Sequence, residues 1–172
     1  LTRIGKIPLP EFDPIKGSAY TEFYRNKLEF TFSNKSWLTA EQLASADEYT
    51  DRNALGFHIP GMFDKVLDIK KCWLQDDISN RIRLAVKKFA IDNNFDLREQ
   101  TGLMRNIIVR TASTGEIMLI VVFFEDDTER IQAMMNFIAR EFPQITSLLY
   151  IVNTKANDTI TDQEVHVFRG RD

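Results

Sequence analysis

The sequence is poor in the residues that most often carry chemistry: its 172 residues include one cysteine and two histidines. A single cysteine excludes an internal disulfide, which agrees with a reducing compartment. No G-x-G-x-x-G or G-x-x-x-x-G-K-[ST] loop, H-E-x-x-H, C-x-x-C or nucleophile elbow occurs. The separated histidines and scattered carboxylates form no triad, so no catalytic residue is assigned within this chain. No apolar run reaches the length that spans a bilayer, and the first residues lack the charged-then-apolar pattern of a signal peptide. The expectation is therefore a cytoplasmic protein without a membrane partner. Internal repeats and low-complexity tracts are absent as well.

What is present suits one folded unit. Hydrophobic residues make up 44% of the chain and include 13 Phe, enough to fill a core of this size. The net charge of −3 has the wrong sign for nucleic-acid binding through bulk charge, so distribution matters more than the total. Residues 1–36 hold six Lys/Arg against four Asp/Glu, residues 76–113 seven against five, and residues 114–172 five against ten. The first two segments carry whatever face meets a polyanion; an ordinary mixed surface is the alternative.

Pro8, Pro10, Pro14 and Gly17 mark residues 1–23 as an irregular lead-in, and residues 24–172 are expected to form one α/β domain. Arg25 to Ser33 alternates Lys27, Glu29 and Thr31 with Leu28, Phe30 and Phe32, the period of a strand with one buried face. Trp37 to Tyr49 is polar and reads as a connecting loop with a helical turn. Ala54 to Ile59, a Pro60-Gly61 turn and Phe63 to Ile69 make a hairpin. Asp76 or Asp77 caps a helix with Ile78, Ile82, Ala85, Val86 and Phe89 on one face, ended by Asn93-Asn94. Asn106 to Ser113 is a strand, followed by a Thr114-Gly115 turn. Ile117 to Phe124 is a continuous apolar run, the candidate centre of the sheet. A second helix begins near Asp126 or Asp127, shows Ile131, Met134, Met135, Ile138 and Phe142 on one face, and stops at Pro143. Ser147 to Asn153 and Glu164 to Phe168 are further strands. The fold class is α+β: a mainly antiparallel sheet with two helices on one face. From Phe63 onward the elements follow the split βαβ, ferredoxin-like order, although the Pro-Gly hairpin competes for the same strand.

Several side chains invite a functional reading. Arg25, Asn26 and Lys27 sit where a strand begins, where cations meet phosphates and an amide reaches a base edge; a solvated strand end explains them equally. Arg105, Asn106 and Arg110 form a second basic cluster, and alternation puts Asn106 and Arg110 on one face. His58 and Lys65 flank the hairpin turn. His166 alternates with Val165 and Val167 as the outward residue of an edge strand. Cys72, just before the first helix, is either a small buried thiol or a metal ligand.

These pieces together resemble a known family. Asp68-Ile69-Lys70-Lys71-Cys72, the hairpin before it, Tyr24-Arg25-Asn26-Lys27 and Leu103 to Arg110 (LMRNIIVR) appear in the order found in the S-adenosylmethionine-dependent RNA (uracil-5-)-methyltransferases. The similarity is greatest to the 23S ribosomal RNA enzymes that carry an iron–sulfur cluster. The resemblance covers nearly the whole chain. It implies that this chain is the central domain of a larger enzyme, with three cluster cysteines before Leu1 and the S-adenosylmethionine loop and nucleophilic cysteine after Asp172. It further implies that Cys72 is the last of four thiolates on a [4Fe-4S] cluster, that both cofactors belong to the parent and neither to this chain alone, and that the Cys72 thiol here is free and partly accessible. Arg25, Asn26, Lys27, His58, Arg105 and Arg110 would contact ribosomal RNA, and the rest of the parent chain would be the other partner. A non-catalytic ferredoxin-like module for RNA binding or protein association is the alternative that keeps every residue-level observation.

Overall fold

The computed structural model describes residues 2–44, 51–97 and 101–171. Its centre is a seven-stranded sheet in the order β3-β2-β1-β4-β5-β6-β7. In chain order the strands are β1 (Lys27–Ser33), β2 (Ala54–Ile59), β3 (Met62–Leu67), β4 (Met104–Thr111), β5 (Ile117–Phe123), β6 (Ser147–Val152) and β7 (His166–Arg169). The helices are α1 (Ala40–Ala44), α2 (Asp77–Asp92) and α3 (Thr128–Glu141). Every strand pair is antiparallel except β5 with β6, which α3 joins as a parallel crossover. The α+β class and the mainly antiparallel sheet are as the sequence leads one to expect. The expected connecting segment from Trp37 to Tyr49 contains α1, while its last part, residues 45–49, lies outside the described residues. Residues 2–24 contain neither helix nor strand, and Ile4, Phe12 and Ile15 there are exposed.

Both long helices begin where an aspartate accepts a backbone N–H. Asp76 accepts from Ile78 at 3.2 Å and Asp127 from Arg130 at 3.0 Å, satisfying amides that have no intrahelical partner. Their apolar faces lie on the same side of the sheet and touch each other, with the Phe89 and Phe137 rings stacked 4.3 Å apart. Beneath them Leu28, Phe30 and Phe32 of β1, Ile107 and Val109 of β4, Leu119, Val121 and Phe123 of β5 and Leu148 of β6 form one core with Ile82, Val86, Ile131, Met134, Met135 and Ile138. Each of the larger side chains contributes about 1.5–3 kcal/mol by leaving water.

The strand order departs from the ferredoxin-like one. That arrangement places β3 between β5 and β6, whereas β3 here is an edge strand and β5 and β6 pair directly. The two-residue Pro60-Gly61 connection, with Gly61 at φ +79°, closes β2 onto β3 at small entropic cost. β1 then takes the free edge of β2 and pairs with β4 on its other side. β5 is interior, as its unbroken apolar run implies.

Candidate nucleic-acid interface

Strand register decides which side chains share the face away from the helices. Lys27 lies opposite Arg110, Glu29 opposite Ile108 and Thr31 opposite Asn106. Continuing across the sheet, Arg110 is opposite Met118 and Met118 opposite Ser147. On β2, Gly56 is opposite Thr31, so His58 two residues on points to the same side. Four of the residues expected from sequence to meet RNA, Asn26, Lys27, His58 and Arg110, thus gather on or at the rim of one face. Lys27 and Arg110 are exposed, and Arg110 has no hydrogen-bond or ion-pair partner among the described residues.

Arg25 joins this end through its backbone: its N–H donates to the Leu74 carbonyl at 2.8 Å, leaving the side chain exposed. Just before it, the Phe23 N–H donates to the Trp73 carbonyl, also at 2.8 Å, so residues 23–25 are tied beside residues 73–74. The Asn26 carbonyl accepts the Thr111 N–H at 2.9 Å, which extends the β1–β4 ladder and sets the Asn26 side chain near Arg110.

Glu29 was visible in the sequence only as a polar alternation, yet it sits in the middle of this face. Its carboxylate accepts the Asn106 amide at 2.8 Å. Partial burial holds the Glu29 carboxyl above its ordinary value; the Asp158 carboxylate pushes the same way, while Lys27 and His58 oppose. Asn106 is buried, and its carbonyl oxygen has no partner among the described residues. Asn106 is therefore part of the sheet's polar interior, holding Glu29 in place.

Arg105 does not belong to the basic face. It is fully buried, and its four Nη hydrogens serve four acceptors: the carbonyls of Asn153 (2.7 Å), Lys155 (2.7 Å) and Asn157 (3.1 Å) and the Asp158 carboxylate (2.7 Å). The guanidinium fastens the loop after β6 to the start of β4, and it has no donor left on those nitrogens for a phosphate. A register shift between Met104 and Asn106 turns it out of the alternation.

Cys72 also lies apart from this face. It is 5% exposed and part of the core under α2, buried where partial accessibility was expected. Its backbone is held on both sides by one side chain: the Cys72 N–H donates to Asn80 Oδ1 at 2.8 Å, and Asn80 Nδ2 donates to the Cys72 carbonyl at 3.0 Å. One turn along α2, buried Arg83 donates to the carbonyls of Leu55, Ile69 and Lys70 and to Asn80 Oδ1. Burial moves the Arg83 guanidinium downward from its ordinary value, with the Asp68 charge acting against that. Apolar spacing sets Arg83 off the buried face together with Arg81, Lys87 and Lys88, yet Arg83 is fully buried, and nothing in that spacing marks Asn80. Among the described residues, no group of three or more His, Cys, Asp or Glu side chains is placed to hold a metal ion.

An α+β sheet with helices on one side and an uneven, locally basic opposite side defines a class of folded unit rather than an activity. No protein-family model matches the chain. Comparison with curated proteins is specific. The chain is similar over its whole length to a protein named uncharacterized RNA methyltransferase from Bacteroides thetaiotaomicron, at 60% identity, and covers 39% of it. It is 53% identical to one of the same name from Porphyromonas gingivalis, again covering 39%. A third, from Chlorobaculum tepidum, is 31% identical over 99% of the chain and 36% of that protein. The chain is thus homologous to part of proteins named RNA methyltransferases and spans less than half of their length.

Proposed function

We propose that this chain is the central, RNA-holding part of an RNA (uracil-5-)-methyltransferase acting on ribosomal RNA in the cytoplasm. The observation that carries the reading is the similarity of the whole of this chain to part of proteins named RNA methyltransferases. The quoted motifs refine it to uracil-5 chemistry. In such a parent, a cysteine thiolate outside this chain adds to C6 of the uracil, C5 takes the methyl group of S-adenosylmethionine, the C5 proton leaves and the thiolate is expelled. A thiolate suits this sequence because it is both a good nucleophile near neutral pH and a competent leaving group.

The role of this chain is to grip the RNA beside the reacting base. Arg25, Lys27 and Arg110 offer cations to phosphates, and His58 extends the contact line along β2. A [4Fe-4S] cluster needs four soft ligands, and the described residues offer one thiol, so they do not by themselves fit the group. Cys72 would join three cysteines of the parent, with Asn80 fixing the backbone on which that thiol rides.

Arg25→Ala with Lys27→Ala in the full-length protein tests the RNA-holding role. Each lost phosphate contact lowers the slope of log affinity against log salt by about 0.7 for single-stranded RNA. RNA binding weakens while S-adenosylmethionine affinity stays unchanged. Wild-type RNA binding by the double variant at low and physiological salt would refute the role.

A further inference from the structure

A cleft of about 330 Å³ opens at the end of the helix-free face, between the start of β1, the β4–β5 turn and the start of β6. Its walls include Asn26, Arg110, Glu116, Thr146, Ser147 and Arg171. The register Arg110–Met118–Ser147 sets Arg110 and Ser147 two strands apart, about 10 Å between backbones at ordinary strand spacing. Met118 stands between them in the register and also lines the cleft.

The unused hydrogen-bonding groups in the cleft converge on one kind of ligand. Ser147 is 7% exposed, yet its hydroxyl has no partner among the described residues. The Arg110 guanidinium and the Asn26 amide likewise have none. Thr146 is engaged: its hydroxyl donates to the Ile117 carbonyl at 2.8 Å and accepts the Ile117 N–H at 3.0 Å, which fixes the β5–β6 end of the cleft. The one carboxylate in the walls, Glu116, is matched by Arg171 at 3.3 Å and receives the Thr114 hydroxyl. Lys27, directly across from Arg110, adds a second cation at the rim.

We propose that this cleft is a phosphate subsite, in which Arg110 pairs with the non-bridging oxygens while the Ser147 hydroxyl and the Asn26 amide complete the oxygen shell. The natural source is one phosphodiester of the RNA gripped by the same face, so the inference rests on the RNA-holding role and adds Ser147, Asn26 and the cleft to it.

Two arms separate the subsite from that role. In the first, inorganic phosphate is titrated into the protein at constant ionic strength against chloride, with backbone amide shifts as the readout. Saturable shifts at Asn26, Arg110 and Ser147 that vanish in Arg110→Ala are expected; shifts spread evenly over exposed cations would overturn the subsite. In the second, a single-stranded oligoribonucleotide is titrated into wild type, Arg110→Ala and Ser147→Ala. Arg110→Ala should weaken binding about tenfold and reduce the salt slope by about 0.7. Ser147→Ala should weaken it about two- to tenfold and leave the slope unchanged, since a neutral hydroxyl releases no counterion. If both variants bind RNA like wild type while Arg25→Ala with Lys27→Ala does not, the subsite is wrong and the RNA face stands. If phosphate occupies the cleft but wild type binds no RNA, the subsite stands as an anion site and the RNA role falls. Thermal unfolding of Ser147→Ala, expected at the wild-type temperature, keeps a folding defect from imitating the predicted loss.

Discussion

Replacing Arg105 by alanine separates a structural guanidinium from an RNA-contacting one. The change removes a guanidinium donor from three carbonyls and from the Asp158 carboxylate at once. The Asp158 side chain is 46% exposed, so the ion pair itself, screened by water, contributes no more than about 1 kcal/mol. The larger part comes from the Asn153 and Lys155 carbonyls, left without a partner beside a cavity of guanidinium size, while the Asn157 carbonyl keeps the Asn153 Nδ2–H donor at 3.1 Å. Unsatisfied buried acceptors cost about 1–3 kcal/mol each, and solvent entering the loop recovers part of that, so a net loss of about 3–5 kcal/mol is expected. For a chain of this size that lowers the unfolding temperature by roughly 6–20 °C. Urea or thermal unfolding reads the stability, and hydrogen exchange should show residues 153–158 opening first. At a temperature where the variant remains folded, the salt dependence of RNA binding should match wild type. An unfolding temperature within about 2 °C of wild type, combined with a shallower salt slope, would refute the assignment and return Arg105 to the RNA face.

Cys72 should react slowly with a thiol reagent in the native protein and at the rate of a free thiol once unfolded, giving one thiol per chain; fast native labelling would contradict its burial. Gly56→Ala puts a Cβ 1.9 Å from the Leu67 carbonyl oxygen, so the β2–β3 pairing must shift and stability should fall by about 1–3 kcal/mol; an unchanged unfolding curve would show that this edge yields freely. Glu29→Gln tests the raised carboxyl. Folding favours the protonated form, so that contribution is present below pH 4.5 and is lost as pH rises through the elevated folded value. The glutamine variant, neutral throughout, should be more stable than wild type at pH 7, with the difference closing below pH 4.5; a variant less stable at pH 7 would show that Glu29 is held there as a favoured anion.

Local pattern made most elements legible. The apolar spacing of α2 and α3 marks their buried faces, Asp76 and Asp127 are their caps, and IMLIVVF reads as an interior strand because both of its faces are covered. Strand ends moved by at most two residues, as with Met104–Thr111 against an expected start at Asn106, since apolar alternation fades where a bulge breaks it. Strand order was not legible. It depends on which distant edge is free after the hairpin closes, and no residue between Phe63 and Asn153 records that β1 has already taken the place beside β4. The candidate site divided the same way. Lys27 and Arg110 were legible as cations on strands, whereas the fate of Arg105 depends on a loop some fifty residues away. Ser147 gave no signal because its role requires the register of β4, β5 and β6 together.

The central place of β1 also sets a clock. Of its two neighbours, β2 follows within about twenty residues, but the last residue of β4, Thr111, comes 78 residues after Ser33. At roughly 5–20 residues per second of synthesis, one edge of β1 waits about 4–16 s for its partner. During that interval β1, β2 and β3 are available as a three-stranded meander whose Phe30, Phe32 and Leu55 have neither α3 nor β4 to cover them. The nascent segment from Lys27 to Leu67 is therefore where chaperone capture and edge-to-edge aggregation should concentrate during synthesis.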